Sequence, residues 1–219
     1  MSEERLALEL AGEQLIVDAQ RALLWPRTRT AFLADLHLGK SDIFRRAGIP
    51  IPEGHDATDL QRIDALVRRY DLARIVVLGD FLHGRSEASA AYAKLFAQWR
   101  ETRNDLEVIV IAGNHDRFEA FSDAWNVSWV REGERVGPFV CRHHPEPSPE
   151  GFVLAGHVHP VMFLYGSARE RVRMPILWLR NGLAVLPSFG SFTGGAEVIP
   201  SPGDAIYGFA AQRVWKVRK

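Results

Sequence analysis

The sequence predicts an α/β fold: two mixed β-sheets packed face to face and flanked by helices in a four-layer αββα sandwich, with residues 1–219 as a single domain. Three observations lead to it. Strand and helix signals alternate through the first half, which implies crossover units with parallel pairing. After Val127 no window has convincing helical periodicity and strand signals take over, which adds a second, mostly β layer. Finally, four apolar, β-branched runs stop on tight groups of Asp, Asn and His: AFLADLH at 31–37, VVLGDFLH at 76–83, VIVIAGNHD at 108–116 and VLAGHVH at 153–159. Strands that deliver many oxygen and nitrogen ligands to one sheet edge read this way, and a metal site is what needs so many.

Taken in order, Leu6 to Leu10 and Gln14 to Asp18 read as an edge hairpin around Ala11-Gly12-Glu13, followed by Ala22 to Trp25 and a break at Pro26. Strand Thr30 to Ala34 carries the first polar cluster. The Gly-, Pro- and charge-rich stretch after it predicts a long loop or a short helix bounded by Gly48 and Pro50. Leu60, Ile63, Leu66, Val67 and Tyr70 recur at helical spacing, which predicts a helix from Asp59 to Tyr70 with Asp56 or Thr58 as cap. Strand Arg74 to Leu78, a helix from Ser86 to Glu101, strand Glu107 to Ala112 and a short helix from Phe118 to Trp125 complete the first half. In the second half Phe139-Val140-Cys141, Pro175 to Leu179, Ala184 to Leu186 and Tyr207 to Val217 read as strands, with a turn at Asn181-Gly182.

With 47% hydrophobic and 25% charged residues, the chain of 219 residues can bury a sizeable core. Its 27 basic residues balance 27 acidic ones, so no global positive field marks a nucleic-acid coat protein, and any polyanion must be held locally. The one cysteine, Cys141, excludes an internal disulfide. The opening MSEERLALEL lacks the basic-then-apolar layout of a signal peptide, and no apolar stretch approaches the roughly 20 residues of a membrane helix. A cytoplasmic protein is expected.

In an extended backbone residues i and i+2 face the same way, so Asp35 and His37 are expected to project together, as are His157 and His159. Asp80 follows Gly79 and Asn114 follows Gly113, where a missing side chain permits close approach. His143 or His144 follows another strand end. Two carboxylates, one amide oxygen and about four imidazoles are too many for one tetrahedral ion and suit two ions sharing Asp80. Without a thiolate among the donors, manganese, iron, zinc or similar ions fit.

DLHLGK, GDFLH, GNHD, HHP and GHVHP follow one another over residues 35–159, and in that order they resemble the calcineurin-like metallophosphoesterase superfamily, whose pattern is D-x-H, G-D, G-N-H-[DE], H, G-H-x-H. DLHLGKSDIFRRAGIPIP and LPSFGSFTGG at 186–195 further resemble its bacterial ligase-associated DNA damage response endonuclease branch, the PdeM-like group. The resemblance implies that Asp35, His37, Asp80 and His159 bind one divalent ion and that Asp80, Asn114, His143 and His157 bind a second, with His143 taken over His144. It implies that His115 touches the leaving group or the transition-state oxygens without binding metal, and that Asp116 orients it. An imidazole so placed can hand a proton to the departing alkoxide. The implied cofactor is a pair of divalent ions, manganese first and iron or zinc otherwise. The implied activity is a DNA endonuclease of repair, in which metal-activated water attacks phosphorus. Its substrate would be DNA that is single-stranded or has ends, and its functional associates a DNA ligase and a helicase. Hydrolysis of a small nucleotide or other phosphoester is the alternative, and an inactive scaffold a third reading.

Outside these motifs, His83 reads as structural or as a partner that orients a ligand, His55 as solvated and Cys141 as buried and apolar. Lys40, Arg45 and Arg46 are solvated or meet a substrate phosphate. Phe189 and Phe192 are core aromatics or base-stacking platforms.

Overall fold

The computed structural model describes residues 3–52, 54–83, 91–116, 125–166 and 170–217. The first half builds a seven-stranded sheet in the order β1-β2-β3-β4-β5-β6-β7. Strands β1 (Arg5–Leu10), β2 (Glu13–Asp18), β3 (Ala22–Trp25) and β4 (Thr30–Leu33) form an antiparallel meander with β1 at the edge. Parallel pairing then takes over, from β4 through β5 (Arg74–Leu78) and β6 (Glu107–Ile111) to β7 (Ser128–Val130). Between β4 and β5 the chain forms α1 (Lys40–Arg46) and α2 (His55–Tyr70), and between β5 and β6 it forms α3 (Ala91–Glu101).

The second half supplies β8 (Glu134–Val136), β9 (Phe139–Cys141), β10 (Phe152–Ala155), β11 (Pro160–Tyr165), β12 (Arg171–Arg180), β13 (Leu183–Val185), β14 (Ala196–Glu197), β15 (Ala205–Ala210) and β16 (Arg213–Val217). They form a nine-stranded mixed sheet in the order β14-β11-β12-β13-β10-β9-β8, with β15 between β12 and β16. The expected α/β sandwich of two mixed sheets is therefore present. No described helix is long and apolar enough to cross a membrane.

Strand alternation sorts the core into layers. Phe32 and Ala34 face the second sheet, where they meet Phe139, Cys141, Leu154 and Ala184, while Ala31 and Leu33 join Leu60, Ile63, Leu66 and Phe96 of α2 and α3. Phe139 is fully buried and packs edge-to-face on Trp25 and Phe32 at 5.4 and 5.7 Å, a contact set worth roughly 3–5 kcal/mol to an alanine truncation. Cys141 sits in this inter-sheet core, where burial pushes its thiol up to about 12 and makes it inert, as the apolar reading expects. On the outer face of the second sheet Val140, Val153, Ala155, Leu183 and Val185 pack with Val158 and Trp178, in a cluster that contains no residue of the described helices.

Strands β7, β8, β11 and β14 carry no clear signal in the sequence, and two further details depart from its reading. Helix α2 begins at His55 rather than Asp59, and neither Asp56 nor Thr58 caps it. Gly54, at φ 92, takes the cap position, and the Asp56 carboxylate instead accepts the Gly39 amide at 3.1 Å, tying α2 to the start of α1. The single strand expected over Tyr207 to Val217 is a hairpin of β15 and β16, turning at Ala211 and Gln212 with φ of 47 and 56. Such a turn normally advertises itself through Asn or Gly, and here neither is present. The start of the expected Ser86–Glu101 helix, with its Ser86 cap, and almost all of the Phe118–Trp125 helix lie outside the described residues.

Candidate metal centre

The polar clusters converge where β4, β5, β6, β9 and β10 end. They do not do so on extended backbone: Asp35, His37, Asp80, His157 and His159 all have positive φ, between 43 and 69. Each such residue costs roughly 1 kcal/mol or more, so the surroundings must impose it. They do, because the segment after β4 is stitched to the segment after β5: the amides of Asp35, His37 and Leu38 donate to the carbonyls of Gly79, Asp80 and Phe81 at 3.2, 2.9 and 2.9 Å. The pairs Asp35/His37 and His157/His159 thus come together as expected, but through alternating left-handed residues that turn ligands inward while Leu36 and Leu38 go to the core.

The donors fall on two sides of Asp80. Its Oδ2 lies 3.7 Å from His37 Nε2, which lies 3.3 Å from His159 Nε2; its Oδ1 lies 3.6 Å from His143 Nε2, which meets Asn114 Oδ1 at 2.8 Å and His157 Nδ1 at 2.9 Å. Asp35 Oδ2 accepts the His157 amide at 2.9 Å and lies 3.5 Å from His159 Nε2. Among the described residues, ligand atoms of Asp35, His37 and His159, of Asp35, Asp80 and His143, and of His143, His144 and His157 form three groups, each within 4.8 Å. All seven expected ligands are therefore brought together. His143 is fully buried beside Asp35 and Asp80, whereas His144 is more exposed and pairs with Glu132 Oε1 at 2.6 Å through Nδ1.

Gly79 and Gly113 make room for this. Gly79 has φ +83, and a Cβ there would coincide with the His143 imidazole; a Cβ on Gly113 would coincide with Asp80. Gly79→Ala is accordingly expected to lower stability by roughly 2 kcal/mol or more, since it adds left-handed strain to a clash with a buried ring. Chemical denaturation would check this, together with a metal titration in which the variant loses affinity.

The electrostatics suit cations. Burial drives His37 down to about 2, helped by Lys40, and His143 down to about 4 against the pull of Asp35, so both rings are neutral with lone pairs available. Burial raises the Asp35 carboxyl, and its Oδ1 is a buried oxygen with no hydrogen-bond partner. A shielded carboxylate oxygen aimed at neutral imidazoles fits a divalent ion, which satisfies the orphan and offsets the burial of charge.

His115 sits at the rim, with its amide held by Asp80 Oδ1 at 2.9 Å and its ring stacked on His83 at 4.7 Å between centroids. His83 Nδ1 also reaches His37 Nδ1 at 3.1 Å, so His83 touches both a ligand and His115. Asp116 was expected to orient His115; its hydrogen bonds go instead to the backbone amides of Leu82, Gly113 and Phe81, at 2.8, 2.9 and 3.2 Å. It locks the two ligand loops together, and burial lifts it to about 6. Ser188, not singled out in the sequence, donates Oγ–H to the Asp35 carbonyl at 2.7 Å, with the Gly190 amide beside it at 3.3 Å. The LPSFG run was the available signal. Phe189 is core, whereas His55, expected to be solvated, stacks on Phe192 at 5.2 Å and meets Ser191 Oγ at 3.2 Å.

Buried carboxylates and neutral imidazoles gathered at the strand ends of a mixed-sheet sandwich make a candidate site for divalent metal, and the family match makes the protein a metal-dependent phosphoester hydrolase. Residues 28–187 match the calcineurin-like phosphoesterase family, and the chain belongs to it. The family works with divalent metal ions, for which these clusters are the candidate ligands. Among solved structures, the Pseudomonas putida nuclease MPE is similar at 34% identity and a TM-score of 0.85, covering 97% of this chain and 100% of that one. Weaker likenesses are the Escherichia coli phosphoesterase Yfce (15% identity, TM-score 0.42, 83% and 88% covered) and the Aquifex aeolicus protein AQ665 (16%, 0.42, 59% and 78%). No curated protein sequence matches the chain.

Proposed function

We propose that the chain is a dinuclear phosphodiesterase that cuts DNA, single-stranded or at ends, in repair. The observation that carries the dinuclear reading is Asp80, whose two oxygens face opposite donor sets, His37 with His159 and His143 with Asn114 and His157. Support for DNA as substrate comes from the 34% identity to the Pseudomonas putida nuclease over nearly the whole chain, in keeping with the PdeM-like branch. A core that draws on residues from Leu8 to Val214 supports one domain over 1–219.

Asp35, His37, Asp80 and His159 would hold one ion, and Asp80, Asn114, His143 and His157 the other. Two such ions, manganese in the first instance, supply an acidified water and offset charge on the phosphoryl oxygens. The protein's own part is positioning and proton transfer: Asp80 fixes the His115 amide, and His115 donates a proton to the departing oxygen as the P–O bond breaks. A working partnership with a ligase and a helicase, in the cytoplasm, completes the proposal.

The test is a panel of single-stranded and duplex oligonucleotides, a cyclic nucleotide and an aryl phosphodiester, assayed with manganese, iron or zinc and after chelation. The expected result is manganese-dependent cleavage of single-stranded DNA that chelator abolishes and metal restores. Cleavage of the aryl diester with every oligonucleotide intact would refute the DNA assignment.

A further inference from the structure

Next to the metal centre, with His159 in its wall, is a cavity of about 40 Å³ also lined by Arg21, Arg173, Ser188, Ser191 and Thr193. Arg21 donates to the Ser188 carbonyl and Arg173 to the Thr193 carbonyl, both at 3.2 Å, and no carboxylate among the described residues pairs with either. Asp59, whose charge Arg21 feels, is already engaged: Oδ1 accepts Arg62 at 2.8 Å, and Oδ2 accepts the Ser191 amide and hydroxyl at 2.8 and 3.1 Å.

A carbonyl accepts a guanidinium proton without neutralising its charge. Two cations with no paired carboxylate among the described residues therefore share one small cavity, and burial, with repulsion from Arg62 and Arg173, pulls Arg21 down to about 10 although Asp59 partly offsets its charge. Such an arrangement gains by taking up an oxyanion, which arginine binds through charge-assisted hydrogen bonds.

The cavity also points toward an extended ligand. Val161 and Pro175 line it and pair across the β11–β12 hairpin, and the next pairs on the same face are Phe163 with Arg173 and Tyr165 with Arg171. The strip leading from the cavity thus sets aromatic rings on β11 against guanidinium groups on β12, with Arg171 lying over Phe163 and paired with Glu197 at 3.4 Å; rings beside cations are the chemistry of a nucleic-acid strand track.

We propose that Arg21 and Arg173 form an oxyanion subsite that holds the phosphate flanking the scissile one in a polynucleotide. This rests on the nuclease reading above. Arg173 is exposed, so R173Q is the variant to make. With the manganese-loaded enzyme it is expected to raise KM for a single-stranded oligonucleotide about tenfold, equivalent to about 1.4 kcal/mol, with kcat within about twofold. Both constants for bis-p-nitrophenyl phosphate, which has no second phosphate, should stay unchanged. Equal losses on both substrates, or none on the oligonucleotide, would overturn the proposal.

Sulfate provides an arm that needs no nuclease activity. At ionic strength matched with sodium chloride, sulfate is expected to raise the Tm of the wild type more than that of R173Q; equal shifts count against the subsite. If the wild type cuts only the aryl diester, the nuclease reading fails and the flanking-phosphate assignment with it, while a sulfate effect confined to the wild type still establishes the oxyanion subsite.

Discussion

Asp80→Asn is expected to lower turnover by about a thousandfold or more while leaving the fold intact. The substitution is isosteric, and an amide oxygen at Oδ1 still accepts the His115 N–H that the carboxylate accepts at 2.9 Å. What is lost is the negative charge and one acceptor. The amide NH2 then points at the His37 side, where Oδ2 lies 3.7 Å from Nε2, and a donor cannot ligate a cation. A bridge contributes several kcal/mol of charge stabilisation in a two-metal site, and about 4 kcal/mol corresponds to the thousandfold loss. Metal analysis and kcat would be measured together. The variant should retain at most about one ion where the wild type retains about two, with a Tm close to the wild type. Full activity with both ions bound would show that Asp80 does not bridge.

His115→Gln is expected to lower kcat by about 10²- to 10⁴-fold on an alkyl-leaving-group substrate such as an oligonucleotide, with KM changed only a few-fold. Glutamine keeps a donor at the rim but cannot hand over a proton. The dependence on leaving group is the sharper measurement. A nitrophenolate departs without protonation, so the same variant should lose little activity on an aryl phosphodiester. Equal losses on both substrates would assign His115 to binding or to the architecture of the ligand loops. That alternative is concrete, because its ring stacks on His83, which in turn touches His37. Metal content should remain at the wild-type level, which separates this outcome from the one at Asp80.

Much of the site was legible because its signals are local. Each ligand cluster ends an apolar run, and the glycines before Asp80 and Asn114 mark places where a side chain would not fit. What approaches Gly79 is not legible locally: its missing Cβ leaves space for the His143 ring, a residue that arrives from the second sheet. The preference for His143 over His144 rested on the family's spacing; what packing adds is that Glu132 pairs with the His144 ring. The hairpin at Ala211 and Gln212 was missed because its left-handed turn carries neither Gly nor Asn.

Residue order and periodicity were enough for the two-sheet architecture and most of the strand ends, since burial patterns and turn chemistry act within a few residues of the chain; the seven expected donors came from the motifs together with the family resemblance. Three things came only from packing elements distant in sequence against one another: the left-handed backbone that turns the donors inward, the two-sided exposure of Asp80, and Asp116 tying loops by their amides. The meeting of Arg21 with Arg173 is of the same kind. Nothing near either residue in the chain foretells it, because charges from a β2–β3 turn and a β12 strand become neighbours only once the two sheets stack.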